Sequence, residues 1–128
     1  MISLKMYAQT ADLSIVVENI KEAKGVIQFG LYNLEEDFPK IGKEYKRVRI
    51  DITDMTFQYT FTDLILDNYA LAIYHDKNND DKCNRNFLGI PKEDYGFSNN
   101  IKPFLKAPSF EDVMINLKKD TLISIKLR

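Results

Sequence analysis

Asn68 to His75 reads NYALAIYH. Tyr69, Leu71, Ile73 and His75 fall in one phase of the alternation, Ala70, Ala72 and Tyr74 in the other, and both sets are mainly apolar. The run is short, is preceded by the turn-forming pair Asp67-Asn68, and has no polar face, which is the pattern of a central strand covered on both sides. Such a strand needs a neighbour at each edge and a packed layer above each face, so the rest of the chain is read for those neighbours.

Working outward, the flanking segments supply them. Met55 to Leu64 (MTFQYTFTDL) sets Met55, Phe57, Tyr59 and Phe61 against Thr56, Gln58, Thr60 and Thr62, a strand with one core face. Tyr45 to Thr53 (YKRVRIDIT) sets Tyr45, Arg47, Arg49 and Asp51 against Lys46, Val48, Ile50 and Ile52. Its charges suit an edge strand that must not pair with other chains. Val26 to Tyr32 (VIQFGLY) is β-branched and aromatic, with Gly30 marking a bulge or a close backbone approach. Leu13, Ile15 and Val17 alternate with Ser14, Val16 and Glu18 and form a strand expected to be the hairpin partner of Val26–Tyr32. Asn33 to Phe38 has room for one helical turn before Pro39 ends it. At the far end, Asp112 to Leu117 and Leu122 to Leu127 read as two strands, with Lys118 to Thr121 linking them.

No segment holds a 3.6-residue period long enough for a substantial helix, and there is no repeat, low-complexity tract or linker. The fold predicted is all-β, a single antiparallel β-sandwich of about seven or eight strands over residues 12–128. Residues 1–11 are set apart as an N-terminal segment. MISLKMYAQ is too short and too interrupted by Lys5 for a full signal peptide, yet it has the character of the tail end of one.

Composition narrows the functional classes. Eighteen basic and 19 acidic side chains leave a net charge of −1, so no global field gathers nucleic acid or an acidic membrane. No window has the length of an apolar membrane span. With 45% hydrophobic residues the chain can build a core, and its one cysteine, Cys83, forms no internal disulfide to help it.

The chemistry-bearing stretch follows the central strand: His75 to Asn100, HDKNNDDKCNRNFLGIPKEDYGFSNN. Oxygen-bearing side chains recur at Asp76, Asn78, Asp80 and Asn84, with Lys82 placed to offer its main-chain carbonyl. A tightly curled loop turns alternate side chains inward, and calcium takes six to eight oxygens, so this spacing is that of a calcium loop. Phe87 stands where an EF-hand has its closing glutamate and no helix flanks the loop, so an EF-hand is excluded; Glu93 is the acidic residue that folding back brings nearest. Two carboxylates imply a modest affinity, roughly 10⁻⁵ to 10⁻³ M. The other reading is a solvated Asx-rich turn. Cys83, inside the turn, has no relay to make it a nucleophile.

His75 reads as a structural histidine that hydrogen-bonds the loop that follows it. Tyr95, Phe97, Ser98, Asn99 and Asn100 (from YGFSNN) read either as a cap on the sandwich or, with His75, as a binding surface for a glycan or peptide.

The same residues carry a resemblance. YALAIYHD (Tyr69–Asp76), Asn78, Lys82, NFLGIPKE (Asn86–Glu93), YGFSNN (Tyr95–Asn100) and PSFED (Pro108–Asp112) resemble the signature of the bacterial family called domain of unknown function 2141, from about Asp12 to the end. The pattern departs at Asn79, Asp81 and Asp94, where glycines are usual, and at Asn84, where an aspartate is usual, which lowers the charge of the loop. The resemblance implies a transthyretin- or prealbumin-like sandwich, exported to the periplasm or cell exterior, with no activity to carry over. The function expected is therefore a non-enzymatic module, calcium-stabilised, that binds a glycan, a peptide or an envelope protein. The alternative is a small hydrolase on a transthyretin-like fold, with His75, Glu93, Tyr95 and Ser98 as its polar groups.

Overall fold

The computed structural model describes residues 9–77, 93–103 and 106–128. Among the described residues eight strands form, in the order β1 (Thr10–Glu18), β2 (Val26–Tyr32), β3 (Lys46–Asp51), β4 (Phe57–Ile65), β5 (Asp67–Asp76), β6 (Tyr95–Phe97), β7 (Ile115–Leu117) and β8 (Thr121–Lys126). They make two sheets. One has three strands, β4-β1-β8; the other has five, ordered β3-β2-β5-β6 with β7 also on β5. The inner faces meet over Leu13, Ile15, Val17, Ile27, Phe29, Leu31, Leu71, Ile73, Leu117 and Ile125.

The expected antiparallel sandwich is corrected in one respect: the three-stranded sheet is mixed, because β8 runs parallel to β1, from Leu13 opposite Thr121 to Glu18 opposite Lys126. Side-chain alternation has the same period in parallel and antiparallel strands, so the sequence pattern carries no direction. The expected β1–β2 hairpin does not form either. The turn through Asn19 and Gly25, both at positive φ, carries the chain from one sheet to the other, and β2 pairs instead with β3 and β5.

β5 is the central strand expected: β2 runs along one edge from Ala70 to Asp76, and β6 and β7 occupy positions 72–74 and 67–69. Between those two short partners the Oγ of Ser98 accepts from Leu71 N at 3.1 Å and donates to the Val113 carbonyl, so a side chain fills the missing rung.

Phe110–Val113, read as loop running into strand, is a single turn of α-helix, α1. Ser109 and Asp112 cap it reciprocally, the S-x-x-D arrangement that satisfies two amides at the helix start. Pro39 limits Glu35–Asp37 to one 3₁₀ turn.

All of β2 is buried on both faces. Tyr32, at its end, joins a second apolar cluster with Phe38, Ala70, Phe97, Phe110 and Val113. Phe38 anchors it edge-on, with ring centroids 5.2 Å from Tyr32, 6.1 Å from Phe97 and 6.2 Å from Phe110. The segment from Asn33 to Tyr45 is thereby folded across the outside of the five-stranded sheet.

Candidate functional site

Strand register builds a polar row across that outer face. Arg49 on β3 pairs with Gln28 on β2, Gln28 with Tyr74 on β5, and Tyr74 with Tyr95 on β6. The next outward row holds Gly30 opposite Ala72, and Ala72 opposite Phe97. Two nearly absent side chains thus lie beside a row of long polar ones, and the result is a small cleft that opens to solvent. Pro39, Ile41 and Glu44 wall it from the covering segment, Tyr32 from β2, and Tyr95 and Phe97 from β6. A side chain at position 30 would crowd Glu44 Cγ at 3.2 Å and Tyr32 at 3.3 Å, so glycine keeps the hollow open.

The row is wired. Arg49 Nη1 donates to Gln28 Oε1 at 2.8 Å, and the Tyr74 hydroxyl reaches the same oxygen at 3.3 Å. Arg49 Nη2 meets Asp76 Oδ2 at 2.7 Å. Because a guanidinium only donates, it fixes the amide of Gln28 with its oxygen toward Arg49 and its Nε2 turned away. Gln28 is 7% exposed and lines the cleft. Both bonds, from Arg49 and Tyr74, are taken by its Oε1, and its amide nitrogen makes no hydrogen bond to a described residue. Glu44, at the rim, accepts from Gly42 N at 3.1 Å through both oxygens.

The residues singled out in the sequence divide into groups. Tyr95 and Phe97 line the cleft. Ser98 is buried in the β5 rung, and Asn99 and Asn100 bond backbone: Asn99 Nδ2 donates to Met114 O at 3.1 Å, while Asn100 donates to Ser124 O and accepts from Lys126 N. His75 has no exposed surface and faces the sandwich interior, its Nε2 donating to the Lys24 carbonyl at 2.6 Å. That is the structural role read for it, with the partner in the β1–β2 turn rather than in the loop that follows.

Of the calcium ladder, Asp76 is fully buried against Arg49. Glu93 folds back to the start of the stretch, where Lys77 N donates to its Oε2 at 3.3 Å. Asn78, Asp80, Lys82, Asn84 and Cys83 lie outside the described residues. Among the described residues no three His, Cys, Asp or Glu side chains gather as a metal site, and no helix is long and apolar enough to cross a membrane. Gln28, Arg49, Tyr74 and Glu44 were missed by sequence reasoning. Gln28 alone left a signal, as the one polar side chain in VIQFGLY.

No curated protein and no solved structure matches the chain. The model of a bacterial family, described as "Uncharacterized protein conserved in bacteria (DUF2141)", matches residues 15–124. That span takes in every strand from β2 to β7, the last four residues of β1 and the first four of β8, and the chain belongs to this family.

Proposed function

We propose that the protein is a non-enzymatic binding module of the bacterial envelope, and that the cleft on the outer face of its five-stranded sheet takes a neutral glycan. The observation that carries this reading is the nine-tenths-buried Gln28, a polar side chain lining a cleft together with the rings of Tyr32, Tyr74, Tyr95 and Phe97. A sugar ring offers hydroxyl acceptors to an amide, hydroxyl donors to a carboxylate such as Glu44, and an apolar face to Tyr95 or Phe97. Pockets of this kind bind through apolar walls and orient through a few placed polar groups. The buried, backbone-bonded His75 supports binding over hydrolysis.

Export to the periplasm or beyond, and a transthyretin-like arrangement of the two sheets, complete the proposal and rest on the family resemblance. Calcium as a stabilising ion in the Asp76–Glu93 stretch rests instead on the spacing of its oxygen-bearing side chains, with support from the bond that draws Glu93 to Lys77 beside Asp76.

The test is calorimetric titration with a panel of neutral oligosaccharides, on the wild type and on Gln28→Leu. Saturable binding that weakens at least about tenfold in Gln28→Leu, a loss of roughly 1.4 kcal/mol, is the expected outcome. Binding untouched by Gln28→Leu, or none across the panel, removes the cleft as a glycan site. For calcium, thermal unfolding with calcium, magnesium or EDTA should show a calcium-specific rise that Asp80→Ala abolishes; no shift at millimolar calcium leaves an Asx-rich turn.

A further inference from the structure

We infer that the cleft takes a second class of ligand, an alkylated ammonium ion of the trimethylammonium type, held among its aromatic rings beside the Glu44 carboxylate. This rests on the reading of the cleft as the binding site and adds a ligand that competes with a sugar for it. The floor is made by Gly30 and Ala72, which lie opposite each other on β2 and β5. Register sets aromatic side chains around that floor. Phe97 is paired with Ala72 itself, Tyr74 and Tyr95 form the next pair on the same face, and Tyr32 stands two residues on from Gly30. All four line the cleft, and the rings of Tyr95 and Phe97 meet at 64° with centroids 5.8 Å apart.

Glu44 supplies the charge. The same added methyl at position 30 that would crowd Glu44 Cγ would also meet the Tyr32 ring, so an acidic side chain and an aromatic one border a single hollow. Among the described residues Glu44 is the one charged side chain in the cleft wall, and Gly42 N holds both of its oxygens in place. Arg49, which bonds the wall residues Gln28 and Tyr74, is itself paired with Asp76. Lys40, Lys43 and Arg47 are exposed and none of them lines the cleft, so salt screens their effect on what lies inside.

The chemistry of the wall selects the kind of cation. Aromatic rings attract a cation through their quadrupole, and the more so as it loses water. A bare ammonium is strongly hydrated and brings three N–H donors that each need an acceptor. A quaternary ammonium has no N–H to satisfy and presents methyl groups, which suit the apolar side chains of Pro39, Ile41 and Ile73 in the same wall. The carboxylate then offsets its charge without a hydrogen bond. An anionic ligand meets the opposite balance, with Glu44 repelling it.

Calorimetric titration of the full chain with choline, and with its uncharged isostere dimethylbutanol, in which carbon replaces the nitrogen, tests this directly. Choline is expected to bind saturably and at least about tenfold more tightly than the isostere. Glu44→Gln should weaken choline at least about tenfold, and Gly30→Ala, which narrows the hollow but keeps every ring and charge, should weaken it too. Far-UV circular dichroism checks that each variant is folded, and Tyr95→Leu replaces Gly30→Ala should that variant not fold. Retention on phosphatidylcholine but not phosphatidylglycerol vesicles would show that a lipid presents the group, and choline binding without retention that it arrives as a free solute; both carry the inference. No choline binding, equal binding of choline and the isostere, or choline binding indifferent to Glu44→Gln overturns it. Sugar binding without choline binding leaves the glycan reading intact and sinks this one, whereas choline binding without sugar binding does the reverse.

Discussion

Arg49 and Asp76 face each other across two strands of one sheet, 2.7 Å apart, with the carboxylate wholly buried and the guanidinium only 19% exposed. Removing one member of such a pair strands the other in a poorly solvated position. Arg49→Met should therefore destabilise the fold by about 3 kcal/mol or more. Urea denaturation should also show Arg49→Met/Asp76→Leu to be less damaging than either single change. Equal additive losses would mean that the pair is not coupled.

Tyr69 gives a pH signature. Its hydroxyl donates to the Ile65 carbonyl at 2.6 Å, and burial, followed by the nearby Tyr45 and Asp67, pushes its pKa up to about 12. The folded protein thus holds this proton more tightly than the unfolded chain, whose phenol titrates near 10. The contribution is fully present below pH 10 and is lost as pH rises toward 12. Tyr69→Phe should be less stable than wild type at neutral pH by about 1 kcal/mol for the lost hydrogen bond. The gap should close between pH 10 and 12 in urea denaturation; a gap independent of pH would refute the assignment.

Gly25 has φ +73°, and an added methyl group would overlap the Asp76 carbonyl and sit 2.7 Å from Lys77 Cα. Both obstacles are backbone, so neither yields cheaply. Gly25→Ala should cost about 3 kcal/mol, combining left-handed strain with overpacking. Gly42, at φ +87° with nothing near it, bears the strain alone, and Gly42→Ala should lose only about 1–2 kcal/mol. Thermal melts that rank the two variants the other way would contradict this.

The tautomer of His75 is fixed by its partner. A carbonyl only accepts, so Nε2 must carry the proton, and Nδ1 is left buried without a hydrogen bond among the described residues. Nitrogen-15 NMR at neutral pH should show a pyrrole-type Nε2 and a pyridine-type Nδ1. The reverse pattern would disprove the Lys24 contact.

Much of the sandwich was legible because alternation reports burial residue by residue. NYALAIYH showed a strand covered on both sides, and YKRVRIDIT showed an edge. Strand direction was not legible, because β8 alternates identically whether it runs with β1 or against it. The cleft was half legible. Tyr95 and Phe97 stood out as aromatics among amides, but Arg49, Gln28 and Tyr74 become a group only once register sets three separate strands side by side. α1 escaped notice because one turn is too short to show a period; its Ser109-x-x-Asp112 cap was the available signal.

The parallel pairing of β1 with β8 also has a consequence in time. β1 leaves the ribosome well before β8, one of its two neighbours, which is the last strand of the domain to be made. Until Thr121–Lys126 emerges, one edge of β1 has no ladder, and the core positions opposite Ile15 and Val17 have no Ile123 or Ile125 beside them. Pairings of such long sequence separation are slow to form. The three-stranded sheet is therefore completed only once β8 has been made, and a nascent chain stalled before β8 should remain open to proteases.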